Sequence, residues 1–224
     1  MSGCGSRELT TIAERRVVAI VGATASGKTS VAVAVAQHLD VEVLSADSRQ
    51  VRAGMVVGTA APTLAEQAAV RHHLVGHVSV DATYTLADFL REARSALDDI
   101  WARGKTPLVV GGTGQYVWAL LEGWQPPAVE PDLELRSELE AQLAAEGVGA
   151  LFRRLQALAP EAAGRLADPR NPRRVIRAIE VATAGADAPS IEPPDFASSV
   201  VGLDWPRETL HERADARVEA MYAA

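Results

Sequence analysis

The stretch Gly22-Ala23-Thr24-Ala25-Ser26-Gly27-Lys28-Thr29 constrains this chain more than any other. It has the G-x-x-x-x-G-K-[ST] form of a phosphate-binding loop. Its flanks fit as well. The β-branched run Val17-Val18-Ala19-Ile20-Val21 predicts a strand before it, and the Ala/Val-rich stretch Ser30 to Leu39 a helix after it. In such a strand–loop–helix unit the backbone N–H groups turn inward around a phosphate chain, and the helix N-terminus adds its positive dipole. Gly22, Ala23, Thr24, Ala25, Ser26 and Gly27 form the cradle. Lys28 supplies a point charge to the terminal phosphate, and Thr29 a hydroxyl for Mg²⁺. The motif predicts a bound di- or triphosphate without saying which one or what becomes of it.

The pattern around this unit predicts a parallel α/β sheet of the P-loop NTPase-like kind, with helices on both faces and an all-helical insertion. Val41 to Ser45 reads as a second strand, running into Ala46-Asp47-Ser48. Leu74 to Val80 reads as a third. A helix is expected from Leu86 to Arg103, stopped by Gly104. A strand over Thr106 to Val110 then enters Gly111-Gly112-Thr113-Gly114, with a helix from Gln115 to Leu121. Parallel strands deliver their C-terminal ends to one sheet edge. The phosphate loop, Asp47-Ser48-Arg49-Gln50 and Gly111–Gly114 are therefore expected to meet there.

Composition shifts at Trp124-Gln125-Pro126-Pro127. Beyond it Leu135, Leu139 and Leu143, then Leu151, Leu155 and Leu158, mark one apolar helical face, with Gly147 between. Asn171-Pro172 is an N-cap and first-turn pair for a helix through Val181. Pro189 to Pro194 reads as a return linker, Ser198 to Leu203 as a late strand, and Pro206 onward as a helix. The expected divisions are a disordered tail over 1–14, a core over 15–123, a helical insertion over 124–195, and a returning strand and helix over 196–224.

Bulk properties narrow the function. The 224 residues are 48% hydrophobic and 23% charged, ordinary for a globular chain. Aromatics are only 4%, so Val, Leu and Ala must fill the core. No apolar run approaches the roughly 20 residues that span a bilayer, and Met1 to Glu14 lacks a secretory h-region. The single cysteine, Cys4, excludes an intrachain disulfide, so the cytoplasm is the expected compartment and an inert tail residue the expected role. A net charge of −7 offers no global field for nucleic acid, so such a partner needs a local basic patch.

Nucleotide-hydrolysing P-loop proteins usually end a second apolar strand on an acid that holds Mg²⁺. Here the strand ending at Val110 meets Gly-Gly-Thr-Gly, which counts against a motor or switch. Asp47 is the acid best placed toward the phosphate site, as a general base or a substrate-orienting group rather than a plain turn residue. Thr113 reads as a helix cap or as a donor to a phosphate or base. Arg49 and Gln50 offer an anion fork and a bidentate amide. Arg170, Arg173, Arg174 and Arg177 fall on one helical face, either a solvated stripe or a phosphodiester contact. His72, His73 and His77 lack accompanying Cys or acids, so metal is not expected there.

Taken together, several segments resemble the tRNA dimethylallyltransferases. They are the phosphate loop, Ser45-Ala-Asp-Ser-Arg-Gln-Val51, Gly54-Met55 with Gly58-Thr59-Ala60, His72-His73-Leu74, Ala87-Asp88-Phe89, Gly111-Gly-Thr-Gly114 with Tyr116, and Arg174-Val-Ile-Arg-Ala-Ile-Glu180. They run in family order along nearly the whole chain. The resemblance implies dimethylallyl diphosphate as donor and the N6 amine of a tRNA adenine beside the anticodon as acceptor. It implies that Gly22 to Thr29 hold the diphosphate, with Mg²⁺ assisting at Thr29. It implies Asp47 as general base, helped by Lys28 and Thr113. Contacts to the anticodon stem-loop are implied for Asp47, Ser48, Arg49, Gln50, Thr113, Arg136, and Arg173, Arg174, Val175, Ile176 and Arg177. A monomer with no membrane association is expected.

Departures are few. Ala23 stands for the usual proline, Arg52 for a tyrosine and Ala61 for a lysine, and family members usually continue several tens of residues beyond Met221. Three other readings stay open: an isopentenyltransferase acting on free AMP or ADP, a small-molecule P-loop kinase, and a truncated paralogue that binds without turnover.

Overall fold

A computed structural model describes residues 15–127, 129–186 and 189–223. The tail expected over 1–14, with Cys4, lies outside the described residues. In chain order the elements are β1 (Arg16–Gly22), α1 (Lys28–Ala36), β2 (Val41–Ser45), α2 (Leu64–Ala69), β3 (His72–His73), α3 (Leu86–Ala102), β4 (Thr106–Val110), α4 (Gly114–Glu122), β5 (Trp124–Gln125), α5 (Leu133–Glu146), α6 (Val148–Leu158), α7 (Pro160–Arg165), α8 (Pro172–Thr183), β6 (Ser190–Ile191), β7 (Ala197–Leu203) and α9 (Arg207–Ala223).

The first unit comprises residues up to Trp124 together with Glu192 onward. Its sheet has the order β3-β2-β4-β1-β7, and every pairing is parallel. Successive strand residues point to opposite faces, and the core divides accordingly. Val17, Ala19, Leu44 and Val109 pack against α3 and α4 through Phe89, Leu97, Val117 and Leu120. Ile20, Val43, Leu108 and Val110 pack on the other face with Ala32 of α1. Helices therefore cover both faces, as the sequence predicts. Thr85 caps α3 through a capping box with Asp88, and Thr63 caps α2 the same way with Glu66.

The third strand differs from its expected span. Pairing stops after His73, because Leu74 has φ 60° and Gly76 φ 61°, left-handed values that break an extended run. The chain then turns back along the loop after β2. Gly76 N–H donates to Gln50 O, and His77 and Val78 N–H both donate to Val51 O. The linker expected over Pro189–Pro194 contains β6, which pairs with β5 in a two-stranded sheet.

The second unit, Gln125–Ile191, is helical. Leu139, Leu151, Leu155, Val175 and Ile179 form its core. Leu158, expected on the same apolar face, is instead 48% exposed at the end of α6. Asp132 caps α5, and Asn171 caps α8 by accepting from Arg173 and Arg174 N–H.

Candidate active site

The phosphate loop is built by its own backbone. Gly22 admits no side chain, since a Cβ there would lie 2.8 Å from both Leu203 O and Ser26 Oγ. Gly27, at φ 91°, is the left-handed N-cap that opens α1. Lys28 Nζ reaches back to donate to Gly22 O and Ala23 O, each at 2.9 Å, which lays the ammonium across the loop. Ser26 Oγ is buried with no hydrogen-bond partner among the described residues. A buried hydroxyl without a partner is costly unless something arrives to satisfy it.

The end of β2 meets the end of β4 at very short range. Ala46 N–H donates to Val110 O at 2.8 Å, and a Cβ on Gly111 would lie 2.1 Å from Ala46 O. Only glycine fits there. Thr113 N–H donates to Ala46 O, and Thr113 Oγ1 accepts from Ser48 N–H at 2.9 Å. The expected meeting of the three loops thus rests, for two of them, on direct hydrogen bonds. Thr113 itself is a strut: its hydroxyl donates to Ser48 Oγ at 3.2 Å rather than standing free for a ligand. Gln50 is likewise engaged. Its amide donates to Thr59 O and Ala60 O and accepts from Ser45 Oγ, so the bidentate base-reading fork expected of it is occupied within the protein. Arg49 remains exposed.

Asp47 has an asymmetric environment. Oδ1 accepts from Arg49 N–H at 2.9 Å and Gln50 N–H at 3.3 Å, which fixes the carboxylate on its loop. Oδ2 accepts no hydrogen bond among the described residues. Burial lowers the Lys28 pKa, the negative charge of Asp47 works against that, and the positive charge of Arg217 adds to it. The ammonium, the carboxylate and Arg217 therefore share one electrostatic environment.

Sequence reasoning missed the contribution of Trp205, in the turn after β7, and of the helix that follows it. Trp205 Nε1 donates to Ser26 O at 3.0 Å, and Arg213 Nε to Ala25 O at 2.8 Å, with the Arg213 guanidinium stacked over the Trp205 ring. Arg217 Nε is buried and unpartnered among the described residues. Two clamps and a spare cationic donor thus come from residues about 180 positions downstream, with no motif to announce them. Arg52 lies nearby on the loop after Asp47, donating to Ser79 O and Ala82 O and so bracing the turn after β3.

The histidines are separately engaged: His72 with Val70 O, His73 with Glu42 and His77 with Glu92. Among the described residues no group of three or more His, Cys, Asp or Glu side chains is placed to hold a metal ion. Thr29, the residue expected to hold an ion, is half-buried in the first turn of α1, and no built ligand cluster surrounds it among the described residues. Such sparse surroundings fit an ion like Mg²⁺, which takes most of its ligands from substrate phosphates and water, and do not fit a closed protein cage.

In the second unit the expected RNA-contacting residues divide. Val175 and Ile176 turn inward as part of the helical core, because α8 needs that face to pack. Arg173 and Arg174 are exposed, and Arg170, Asn171, Pro172 and Arg173 border an open hollow with Asp168. Arg136 and Arg177 are both ion-paired to the buried Glu180.

Comparison with known proteins then bears on this site. The model of the IPP transferase family matches residues 50–224, most of the chain. The chain belongs to the IPP transferase family. A tRNA dimethylallyltransferase of Roseiflexus sp. (strain RS-1) is 47% identical over 212 residues, covering 93% of this chain and 69% of that protein. One from Chloroflexus aggregans is 49% identical over 212 residues, covering 93% and 71%. Among solved structures, a full-length tRNA isopentenylpyrophosphate transferase from Bacillus halodurans matches with a TM-score of 0.62 and 38% identity, over 94% of this chain and 66% of that one. A eukaryotic dimethylallyltransferase acting on tRNA matches with a TM-score of 0.71 and 26% identity, over 93% and 53%. This IPP transferase family member therefore shares the fold of those enzymes. No helix among its described residues is long and apolar enough to cross a membrane.

Proposed function

We propose that the chain transfers a dimethylallyl group from dimethylallyl diphosphate to the N6 amine of an adenine beside the anticodon in tRNA. Similarity to the tRNA dimethylallyltransferases supports this reading over the other P-loop chemistries. The observation that carries the mechanism is the Asp47 carboxylate, tethered through Oδ1 with Oδ2 open, beside a phosphate cradle.

In the reaction the adenine N6 attacks C1 of the dimethylallyl group. The C1–O bond breaks with its electron pair leaving on diphosphate, and the N6 proton passes to Asp47 Oδ2. Diphosphate leaves readily once its charge is met. The backbone of Gly22 to Thr29, the Lys28 ammonium and the Ser26 hydroxyl do this, with Arg217 supplying a further cation. Thr29 would hold Mg²⁺, which would neutralise charge on the departing diphosphate. No water-activating acid is needed on β4, in keeping with the Gly-Gly-Thr-Gly turn. Thr113 and Ser48 keep the Asp47 loop in register with β4. The exposed Arg173 and Arg174 are assigned to RNA phosphates. Val175 and Ile176 act only through packing.

The test is incubation with Mg²⁺ and labelled dimethylallyl diphosphate plus tRNA, AMP or no acceptor. Label on tRNA alone is the expected result. Label on AMP alone would reassign the acceptor. Phosphorylation of a metabolite from ATP, without prenyl transfer, would point to a kinase.

A further inference from the structure

Glu180 sits at the inner face of α8 with none of its side chain exposed. Its two oxygens are met by two arginines. Arg136, from α5, donates Nε to Oε1 at 3.0 Å and Nη2 to Oε2 at 2.8 Å, a bidentate fork. Arg177, one turn before Glu180 on α8, donates Nη1 to Oε2 at 3.4 Å, while its Nη2 donates to Val129 O at 2.7 Å. Both arginines keep 36% of their side chains exposed. Neither Arg136 Nη1 nor Arg177 Nε donates to a protein group among the described residues.

The cluster holds one buried negative charge and two half-exposed positive ones. What it offers to solvent is cationic and held at fixed angles. An ordinary surface arginine samples many rotamers and gives up that freedom on binding. Here the freedom is already lost in the free protein. Guanidinium groups held this way present their remaining N–H donors and their positive charge to phosphate oxygens in a fixed direction.

We infer that Glu180 is a positioning residue for RNA binding: it locks Arg136 and Arg177 into a paired platform for the phosphodiester backbone. The inference rests on the RNA-directed reading above and adds to it the residue that presets the arginines. Glu180 itself meets no ligand.

A simple electrostatic view predicts the opposite sign for its removal. Glu180→Gln deletes a negative charge beside a polyanion site, so through the field alone RNA should bind more tightly. Through positioning, binding weakens, because an amide N–H₂ now faces a guanidinium and the fork is lost. Binding of an anticodon stem-loop RNA is measured across a salt series for the unsubstituted chain, Glu180→Gln and Arg136→Lys. Arg136→Lys keeps the charge and loses the fork. Thermal melting establishes the folded fraction, and dimethylallyl diphosphate binding serves as the control readout at the separate phosphate loop.

Both variants are expected to bind the RNA about tenfold more weakly per folded molecule, the scale of one or two lost charge-assisted contacts. Diphosphate affinity is expected to stay the same. Unchanged or tighter RNA binding by folded Glu180→Gln, or full affinity in Arg136→Lys, overturns the inference and leaves the functional reading standing. Failure of the unsubstituted chain to bind the RNA overturns both. Should Glu180→Gln not fold, Arg136→Lys decides alone.

Discussion

Glu42 lies on β2, the strand that delivers Asp47, and its perturbation can be worked through in energy. The side chain is buried in the α3-side layer of the sheet, where a carboxylate is not expected unless paired. Arg103, at the C-cap of α3, donates Nε and Nη2 to its two oxygens at 3.0 and 2.7 Å, and His73 Nε2 lies 2.7 Å from Oε2. Burial alone raises the Glu42 pKa. The hydrogen bonds from Arg103 and His73 outweigh it and bring the carboxyl down to about 2, from an ordinary 4.5. A depressed carboxylate pKa contributes stability that is complete above the unfolded value and is lost as pH falls toward the folded one. The difference corresponds to about 3 kcal/mol at neutral pH and about 2 kcal/mol near pH 3.5. Glu42→Gln should therefore lower unfolding free energy by about 3 kcal/mol at pH 7, with a gap to the parent that narrows in acid. Urea unfolding of both proteins at several pH values measures this. A gap that stays constant with pH, or falls below about 1 kcal/mol at pH 7, would refute the linkage argument.

Further predictions concern the site. Gly111→Ala places a methyl group against Ala46 O, so β2 and β4 must part; a marked fall in melting temperature with loss of prenyl transfer is expected. Trp205→Ala and Arg213→Ala remove the two clamps on the phosphate loop and should raise the KM for dimethylallyl diphosphate several-fold. Calorimetric titration with the diphosphate would confirm weaker binding, and unchanged affinity would make both contacts incidental. Because burial lowers the Lys28 pKa, its charge is lost at less alkaline pH than for an ordinary lysine. Diphosphate affinity should accordingly fall on the alkaline side earlier than a surface ammonium would dictate, a dependence that Lys28→Arg should remove.

Local chemistry was readable from sequence where a motif is contiguous. The phosphate loop, the capping signals at Asn171 and the glycine turn after β4 all depend on neighbouring residues. The meeting of the loop that carries Asp47 with Thr113 was readable one level up, because parallel strands must end at one sheet edge. The third strand was misjudged because Leu74 to Val80 has an apolar composition, while a left-handed φ at Leu74 leaves no compositional trace. Side-chain commitments were hidden for a different reason. That Thr113 serves Ser48, that Gln50 serves Thr59 and Ala60, and that Arg136 serves Glu180 depends on long-range packing. Each of these residues has the chemistry of a ligand contact and is also engaged by the protein itself. Trp205, Arg213 and Arg217 were invisible for the same reason, being brought to the phosphate loop by the last strand and helix.

Asp47→Asn provides the most direct test of the mechanism. Asparagine keeps Oδ1, and with it the hydrogen bonds from Arg49 and Gln50, but its amide nitrogen cannot take a proton where Oδ2 stood. Single-turnover prenyl transfer to tRNA should fall by about a hundredfold or more, the usual scale for a lost general base. Dimethylallyl diphosphate and tRNA should bind nearly as before. Prenyl transfer at the parent rate, or equal losses in transfer and in diphosphate binding, would contradict the assignment of Asp47 as the base.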